Sequence, residues 1–411
     1  MQPHKVEAGW LPVGARARQL LRRVVLADHS IAGLGRLADQ FFLRPLASLA
    51  RIVPLIRLVG PKAKRDLGLS IPRQLYDLVR MVLVHGAKPW IYYLSECYRP
   101  GGMDEARSIV MRNEIKRGIG KALNRLDAEA YQHRRDLGDK RAAAAWCDEH
   151  GLPHAGPLML VEDGKTILLG AQADLDRDLF AKRREGRGSY KVTPYRRVAP
   201  FQYQDRDGRI LTLQQITDGL MNRKPRRSWM LVPLLHTHPE LADLTGDSLL
   251  TFRALTCLDE QMRPVITNLY LRSITKIEPR WDVGRLEEYG APVDLETGML
   301  GQITGDKPEC LSEFFDHHPV TGARVTGRLV PGWRDMAQLA VRAHATLPGR
   351  VFIGWDIAMT AEGPKILEGN SFADPMFPQR VFRQPIGHMR LGELLNFHLG
   401  RIEAQLDRGK R

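Results

Sequence analysis

Residues 354–370 read GWDIAMTAEGPKILEGN. Two apolar runs flank Ala361-Glu362-Gly363, which is the signature of a β-hairpin. In a strand, residues two apart share a face. Glu368 and Asn370 therefore point one way, with Leu367 and Gly369 opposite. On the partner strand Asp356 shares a face with Phe352, Gly354 and Ala358. Closing the hairpin brings Asp356 opposite Glu368. Acids set among Trp355, Ile357, Ile366 and Leu367 need a partner. Two carboxylates and an amide oxygen facing one space form a hard-oxygen site. Magnesium suits it, because Mg²⁺ takes a few carboxylates and completes its octahedron with phosphate oxygens and water. The plainer reading is an exposed hairpin with ordinary polar residues.

Upstream lie more short strands and helices. DKRAAAAWCDEHGLP (139–153) has an acidic start, an alanine-rich middle, Gly151 at its end and Pro153 beyond, as helix capping and stop rules require. PLMLV and KTILLG flank Glu162-Asp163-Gly164, and RVAPFQYQ and RILTLQ flank Asp205–Gly208, two hairpin signals. LQQITDGLM reads as a short helix and WMLVPLL as a buried strand. LLTFRALTC and VITNLYLRSI read as antiparallel partners. GWRDMAQLAVRAHATLP and the C-terminal GHMRLGELLNFHLGRIEAQLD read as helices. Residues 1–135 read as helical segments broken by Pro54, Pro61, Pro72 and Pro89, with a further helix-like run after Pro100-Gly101-Gly102 as far as Ala130. Helices first, then two antiparallel sheets with their own helices, make an α+β chain of two or three lobes.

Two further segments carry chemistry. In LFAKRREGRGSYKV (179–192) a strand ends in Lys182 and a glycine-rich turn follows. Glycines let backbone N–H groups turn toward phosphate oxygens, and lysines add charge; a basic surface turn is the alternative. Arg253 in LLTFRALT and Arg272 in LYLRSIT sit in strand-like runs. A buried arginine needs an anion, supplied either by a bidentate phosphate or carboxylate or by a structural ion pair. The pairs His236/His238 and His317/His318 lack the supporting ligands of a zinc site. His317 or His318 is also a candidate for lining an acceptor pocket, although an HP step more often caps a turn.

Composition narrows the class. The net charge is +14 over 411 residues. Residues 1–66 carry 12 Lys/Arg against 4 Asp/Glu, residues 67–138 carry 12 against 8, and the rest 37 against 35. The excess is N-terminal. No nucleic-acid motif accompanies it, so a nucleic-acid partner is not expected; a plain soluble basic face and contact with an anionic membrane surface are the alternatives, and packing of the N-terminal apolar stretch on the body of the protein is the plainer reading for that stretch. Phe41–Gly60 is the most apolar stretch, yet Arg44, Arg51, Arg57 and two prolines exclude a membrane span. Cys97, Cys147, Cys257 and Cys310 form no CxxC pair. A reduced, cytoplasmic protein is the expectation, in contact at most with the inner face of the membrane.

Taken together, these segments resemble the sugar-transfer-associated ATP-grasp family, related to α-L-glutamate ligases. The likeness spans about 70–390 and includes HPELADLTGDSLLTFRALT (238–256), VDLETGMLG (293–301), HHPVTGARVTG (317–327), LVPGW (329–333) and IGWDIAMTAEGPKILEGN (353–370). The resemblance implies two α+β lobes sandwiching ATP behind a mostly helical, basic N-terminal region. The expected divisions are a basic extension (1–66), a helical subdomain (67–138), a small lobe with the glycine-rich loop (139–228) and a large lobe with the magnesium site (229–411). It implies that Lys140 and Lys182 contact the nucleotide and that Glu185, Gly186, Gly188 and Ser189 close over its phosphates. Met230 and Val232 would lie beside it, with Asp356, Glu368 and Asn370 as magnesium ligands. Arg253 and Arg272 fall where such ligases hold the γ-phosphate and acyl phosphate. Where relatives often carry Gln or Glu at the hinge, Val232-Pro233 stands here, and Glu240 is the nearest substitute for the ribose-binding acid. WDVGRLEEYGAP replaces the family's polar, double-glycine stretch before VDLETG, which points to a different substrate. The implied activity is Mg-ATP-dependent joining of a carboxylate to an amine or another nucleophile, sugar-linked by the family's description, through an acyl phosphate. A kinase on the same fold and a non-catalytic scaffold are the alternatives.

Overall fold

The computed structural model describes residues 44–112, 115, 123, 137–184, 192–223, 228–245, 248–276, 287–371 and 373–408. Three helices open it: α1 (Arg44–Ala50), α2 (Ile52–Leu67) and α3 (Ile71–Leu83). The prolines expected to break this region are mostly absorbed. Pro54 falls in the first turn of α2 and Pro72 in that of α3, where a missing N–H costs nothing. Only Pro61 sits inside a helix. Ile52, Val59, Ala63, Leu78 and Met81 pack with Tyr92 and Tyr93, and the same cluster takes in Leu311 and Met376 from far along the chain. Polar ties reinforce it. Lys62 Nζ donates to the Glu309 carbonyl at 3.0 Å, and Tyr98 meets Ser312 at 2.9 Å.

The first lobe holds α4 (Lys140–Glu149), β1 (Met159–Glu162), β2 (Lys165–Leu168), β3 (Leu179–Arg183), β4 (Thr193–Ala199), β5 (Gln202–Gln204), β6 (Ile210–Thr212), α5 (Leu213–Met221) and β7 (Trp229–Pro233). The sheet runs β2-β1-β7-β3-β4-β5-β6 and its pairings are antiparallel. Asp163 (φ 51°) and Gly164 (φ 73°) supply the two left-handed residues that a two-residue hairpin loop demands. A capping box between Thr212 and Gln215 starts α5. The division drawn at 228/229 assigns β7 to the second lobe; in the structure β7 pairs with both β1 and β3 inside the first sheet. Its four buried residues, Trp229–Val232, need neighbours on both edges, and only these two strands provide them.

The second lobe holds β8 (Thr251–Leu258), β9 (Pro264–Lys276), β10 (Glu287–Val293), β11 (Thr304–Gly305), α6 (Trp333–Ala345), β12 (Phe352–Thr360), β13 (Gly363–Asn370), α7 (Met376–Val381) and α8 (Arg390–Arg408). Its sheet order is β11-β10-β9-β8-β12-β13. On one face Phe252, Ala254, Ile353, Trp355 and Ile357 pack with Met336, Leu339 and Ala343 of α6. On the other, Leu255, Cys257 and Phe352 meet Leu391, Leu394, Leu395 and Leu399 of α8. That second face continues past α8 into Arg253 and Asp356.

Helix α4 contacts both lobes. Asp139 caps it, accepting from the Arg141 and Ala142 amides at 2.9 and 3.4 Å, and also receives Arg184 Nη2 at 2.7 Å. Lys140 N donates to the Arg184 carbonyl at 3.3 Å. At the other end Trp146 stacks on Trp355, centroids 6.0 Å apart and planes 15° inclined. Of the helix-like run expected after Gly102, the structure shows one helical turn, Gly102–Glu105; residues 113–130 (apart from 115 and 123), 185–191 and 277–286 lie outside the described residues. No helix among the described residues is long and apolar enough to cross a membrane. All four cysteines are free thiols.

Asp139 separates two contributions. Asp139→Ala removes the cap, at a cost of about 1 kcal/mol, and also the Arg184 pairing; Asp139→Asn keeps a cap and loses only the charge. The Arg184 guanidinium holds the Asp139 carboxyl below its ordinary 3.8. The wild-type advantage over Asp139→Asn is therefore full above that pH and fades as the pH falls below it. Denaturant unfolding of the three proteins between pH 2.5 and pH 7 (roughly) measures both terms.

Candidate functional site

The β12–β13 hairpin forms with the expected register. Asp356 pairs with Glu368 and Gly354 with Asn370. A bulge follows, since Ile357 pairs with Ile366 and leaves Leu367 as the extra residue. Such a bulge re-aims side chains locally. Here it lets Asp356 and Glu368 face one side while Ile357 and Ile366 enter the core on the other.

Asp356 sits at the centre of a charge network. Arg253, its cross-strand neighbour on β8, grips it bidentately, Nε to Oδ1 at 2.7 Å and Nη2 to Oδ2 at 3.0 Å. Arg272 on β9 adds Nη1 to Oδ1 at 3.0 Å and reaches Glu288 Oε1 with Nε at 2.5 Å. Burial alone would lower the Arg272 pKa, but Glu288 and Asp356 outweigh it and raise it. Both arginines thus meet carboxylates, and each spends only two of its five N–H groups on them. Asp306 completes the row. Its backbone amide donates to the Glu288 carbonyl at 3.2 Å, and burial together with the Glu288 charge raises its carboxyl to about 7.

Glu368 is different. Among the described residues no hydrogen bond or ion pair engages its carboxylate, which is half-buried. Burial and then the Asp356 charge raise its pKa, while Lys140, Arg253 and Lys182 draw it back. Lys182, on β3 of the first lobe, is lowered to about 8 by burial and by Lys140, with Glu368 opposing. The two lysines and the carboxylate therefore share one field across the lobes. A carboxylate crowded by another and offered no N–H is relieved by a cation. Glu368, Asn370 and the remaining lone pair of Asp356 Oδ2 are oxygens that suit a hard cation. No group of three His, Cys, Asp or Glu side chains that could hold a metal occurs among the described residues.

The first lobe adds an apolar wall on the Lys182 side of its sheet. Met230 (1% exposed) pairs with Lys182, and Val232 (2%) with Phe180. Leu160 and Phe180 complete the cluster. Sequence reasoning named Met230 and Val232 but missed Leu160 and Phe180; the alternation of PLMLV and LFAK was the available signal. It also missed Glu288 and Asp306, which no motif marks. Glu185, Gly186, Gly188 and Ser189 lie outside the described residues. Glu240 is exposed on a single turn, Pro239–Leu244.

His318 and His238 brace their own turns, while His317 and His236 are more open to solvent. His318 is 1% exposed, with Nδ1 accepting the Val320 and Thr321 amides and Nε2 meeting Ser273 Oγ at 3.1 Å. It caps its own turn, and burial lowers its pKa. His238 Nδ1 accepts the Glu240 amide at 3.3 Å, and His236 lies 3.4 Å from Asp178.

A family model described as sugar-transfer associated ATP-grasp matches residues 130–386. No curated protein sequence matches the chain. Among solved structures, it is similar to a D-alanine–D-alanine ligase from Bacillus anthracis complexed with ATP (8% identity, 66% of this chain and 68% of that one, TM-score 0.36). It is similar to the D-alanine–D-alanine ligase of Coxiella burnetii (12%, 72% and 69%, TM-score 0.39). A third is the biotin carboxylase domain of a Hydrogenobacter thermophilus 2-oxoglutarate carboxylase, in complex with MgADP, ADP and bicarbonate (10%, 65% and 45%, TM-score 0.38).

Arg272→Met leaves Asp356 and Glu288 short of their shared cation and is expected to cost about 3–5 kcal/mol in urea unfolding. Asp306 gives the opposite pH signature. Its folded pKa of about 7 lies above the ordinary 3.8, so ionising it costs stability as the pH rises between those values. Asp306→Asn should match wild type below that window and be the more stable protein above pH 7 (roughly), read as the pH dependence of the unfolding midpoint.

Proposed function

The chain belongs to the sugar-transfer associated ATP-grasp family and has its fold, two α+β lobes behind a helical N-terminal region, and on that premise we propose that it is a Mg-ATP-dependent ligase joining a carboxylate to an amine through an acyl phosphate. One observation carries the reading: Lys182 and Lys140 of the first lobe share a field with Glu368 of the second. Cations on one wall and carboxylates on the other are what a metal-bound triphosphate requires.

In this reading the adenine lies against Leu160, Phe180, Met230 and Val232, and Lys140 and Lys182 hold phosphate oxygens. Asp356, Glu368 and Asn370 would hold magnesium, which would supply positive charge against the negative charge that develops in phosphoryl transfer. Arg253 and Arg272 orient Asp356 and turn their remaining N–H groups to the transferred phosphoryl group. The substrate carboxylate attacks the γ-phosphorus and ADP leaves. The amine then attacks the acyl carbon, phosphate leaves, and the amine gives up its proton. The lobes position both substrates and exclude water, which supplies much of the rate without a covalent protein nucleophile. Four free thiols fit a reducing compartment such as the cytoplasm.

Titration calorimetry tests the nucleotide site. Wild type is expected to bind ADP more tightly with magnesium than with EDTA. Glu368→Gln should erase that difference while unfolding normally, and Lys182→Met should weaken binding by about tenfold or more in both conditions. No nucleotide binding by the wild-type chain, or full magnesium dependence in Glu368→Gln, overturns the assignment. ADP and phosphate released together, only when a carboxylate and an amine are both present, identify the ligase.

A further inference from the structure

The N-terminal helices bury one side and expose another that is both apolar and basic. α2 turns Ile52, Val59 and Ala63 inward. Its outer side carries Val53 (51% exposed), Arg57, Leu58 (62%), Pro61, Lys64 and Arg65. α3 buries Leu78, Met81 and Val82 and exposes Leu75, Tyr76 and Leu83, followed by Val84. Leu46 stands out from α1. Of the 17 large exposed hydrophobic residues among those described, seven fall between Leu46 and Val84. A concentration of this kind marks an interaction surface.

Charge selects the occupant. Residues 51–84 carry seven Lys/Arg and two Asp/Glu. Asp77 is buried and accepts from Tyr92 at 2.9 Å, and Lys62 turns inward to Glu309. No carboxylate among the described residues pairs with Arg51, Arg57 or Lys64. Arg65 pairs with exposed Asp66 at 2.8 Å, and Arg73 and Arg80 lie 3.7 and 3.9 Å from Asp77 and Asp104, so the outer face is leucine, valine and tyrosine interleaved with three uncompensated cations, Arg51, Arg57 and Lys64, among the described residues. A second copy seated face to face would bring like charge against like charge. Nucleic acid would leave Leu58 and Leu83 uncovered. An interface of apolar chains under anionic headgroups satisfies both components.

We propose that the outer face of α1–α3 docks on an anionic lipid surface, lying on the membrane without crossing it. α2 is tied directly to the stretch after Asp306 through Lys62 and Glu309, and α3 indirectly: Tyr92 and Tyr93 bond to its Asp77 and Gln74, and the same 91–98 segment reaches across through Tyr98 to Ser312 and through the Leu94 carbonyl to Arg380 (3.2 Å), which also meets Thr304 at 3.0 Å. Docking here fixes how the charged end of the cleft is presented to the lipid.

Vesicle co-sedimentation of the full chain tests this. The expected result is binding to phosphatidylcholine vesicles containing phosphatidylglycerol, little binding to phosphatidylcholine alone, and loss on raising the salt. Leu58→Glu/Leu83→Glu and Arg57→Glu/Lys64→Glu, all at exposed positions, should each lower partitioning by about tenfold or more, with unfolding and ADP binding as in wild type. Binding to neither vesicle, equal binding to both, or partitioning unchanged in both variants overturns the proposal. So does a dimer by sedimentation that Leu58→Glu/Leu83→Glu dissociates, which would assign the face to a second copy.

Discussion

Four charges on four adjacent strands, Arg253, Asp356, Arg272 and Glu288, constrain the second lobe more than any other contact. Removing charged groups from water costs several kcal/mol each unless they find one another with good geometry. The bidentate grip of Arg253 on Asp356 meets that condition, and it exists only when β8 and β12 pair in register. Arg272 extends the condition to β9 and β10. The network thus selects one alignment of four strands, and with it the face on which Glu368 appears. The hydrophobic layers on α6 and α8 add stability but would tolerate a slide of one repeat; paired charges do not.

This arrangement divides labour among acids that look alike in the sequence. Asp356 is held by guanidinium groups, Glu368 has none bonded to it among the described residues, and Asp306 is pushed toward neutrality by burial and then by the Glu288 charge. The two lobes differ in kind as well. The first lobe offers an apolar patch edged by lysines, and the second offers carboxylates.

Much of this was legible in the residues. The hairpins, α4 and the pairing of Asp356 with Glu368 followed from turn residues, capping and two-residue alternation, all of them local signals. What was not legible was long-range. WMLVPLL announced a buried strand but not which sheet would bury it, since its partners β1 and β3 begin 70 and 50 residues before it. Arg253 and Arg272 announced a need for anions, but their partners come from strands distant in sequence. Pro54 and Pro72 looked like breaks and proved to be starts, because a proline's cost depends on its place in the first turn. Glu288 and Asp306 carried no motif at all; their roles arise only from proximity to Arg272.

Helix α4 has an implication beyond its own stability. One end is bonded to the backbone of Arg184, just past β3, and the other rests by an indole stack on β12. It therefore acts as a strut between the two halves. Any opening of the jaws must either shear the tryptophan contact or tear the capped end from its sheet, and the cheaper of the two breaks decides on which side of the gap Lys140 travels.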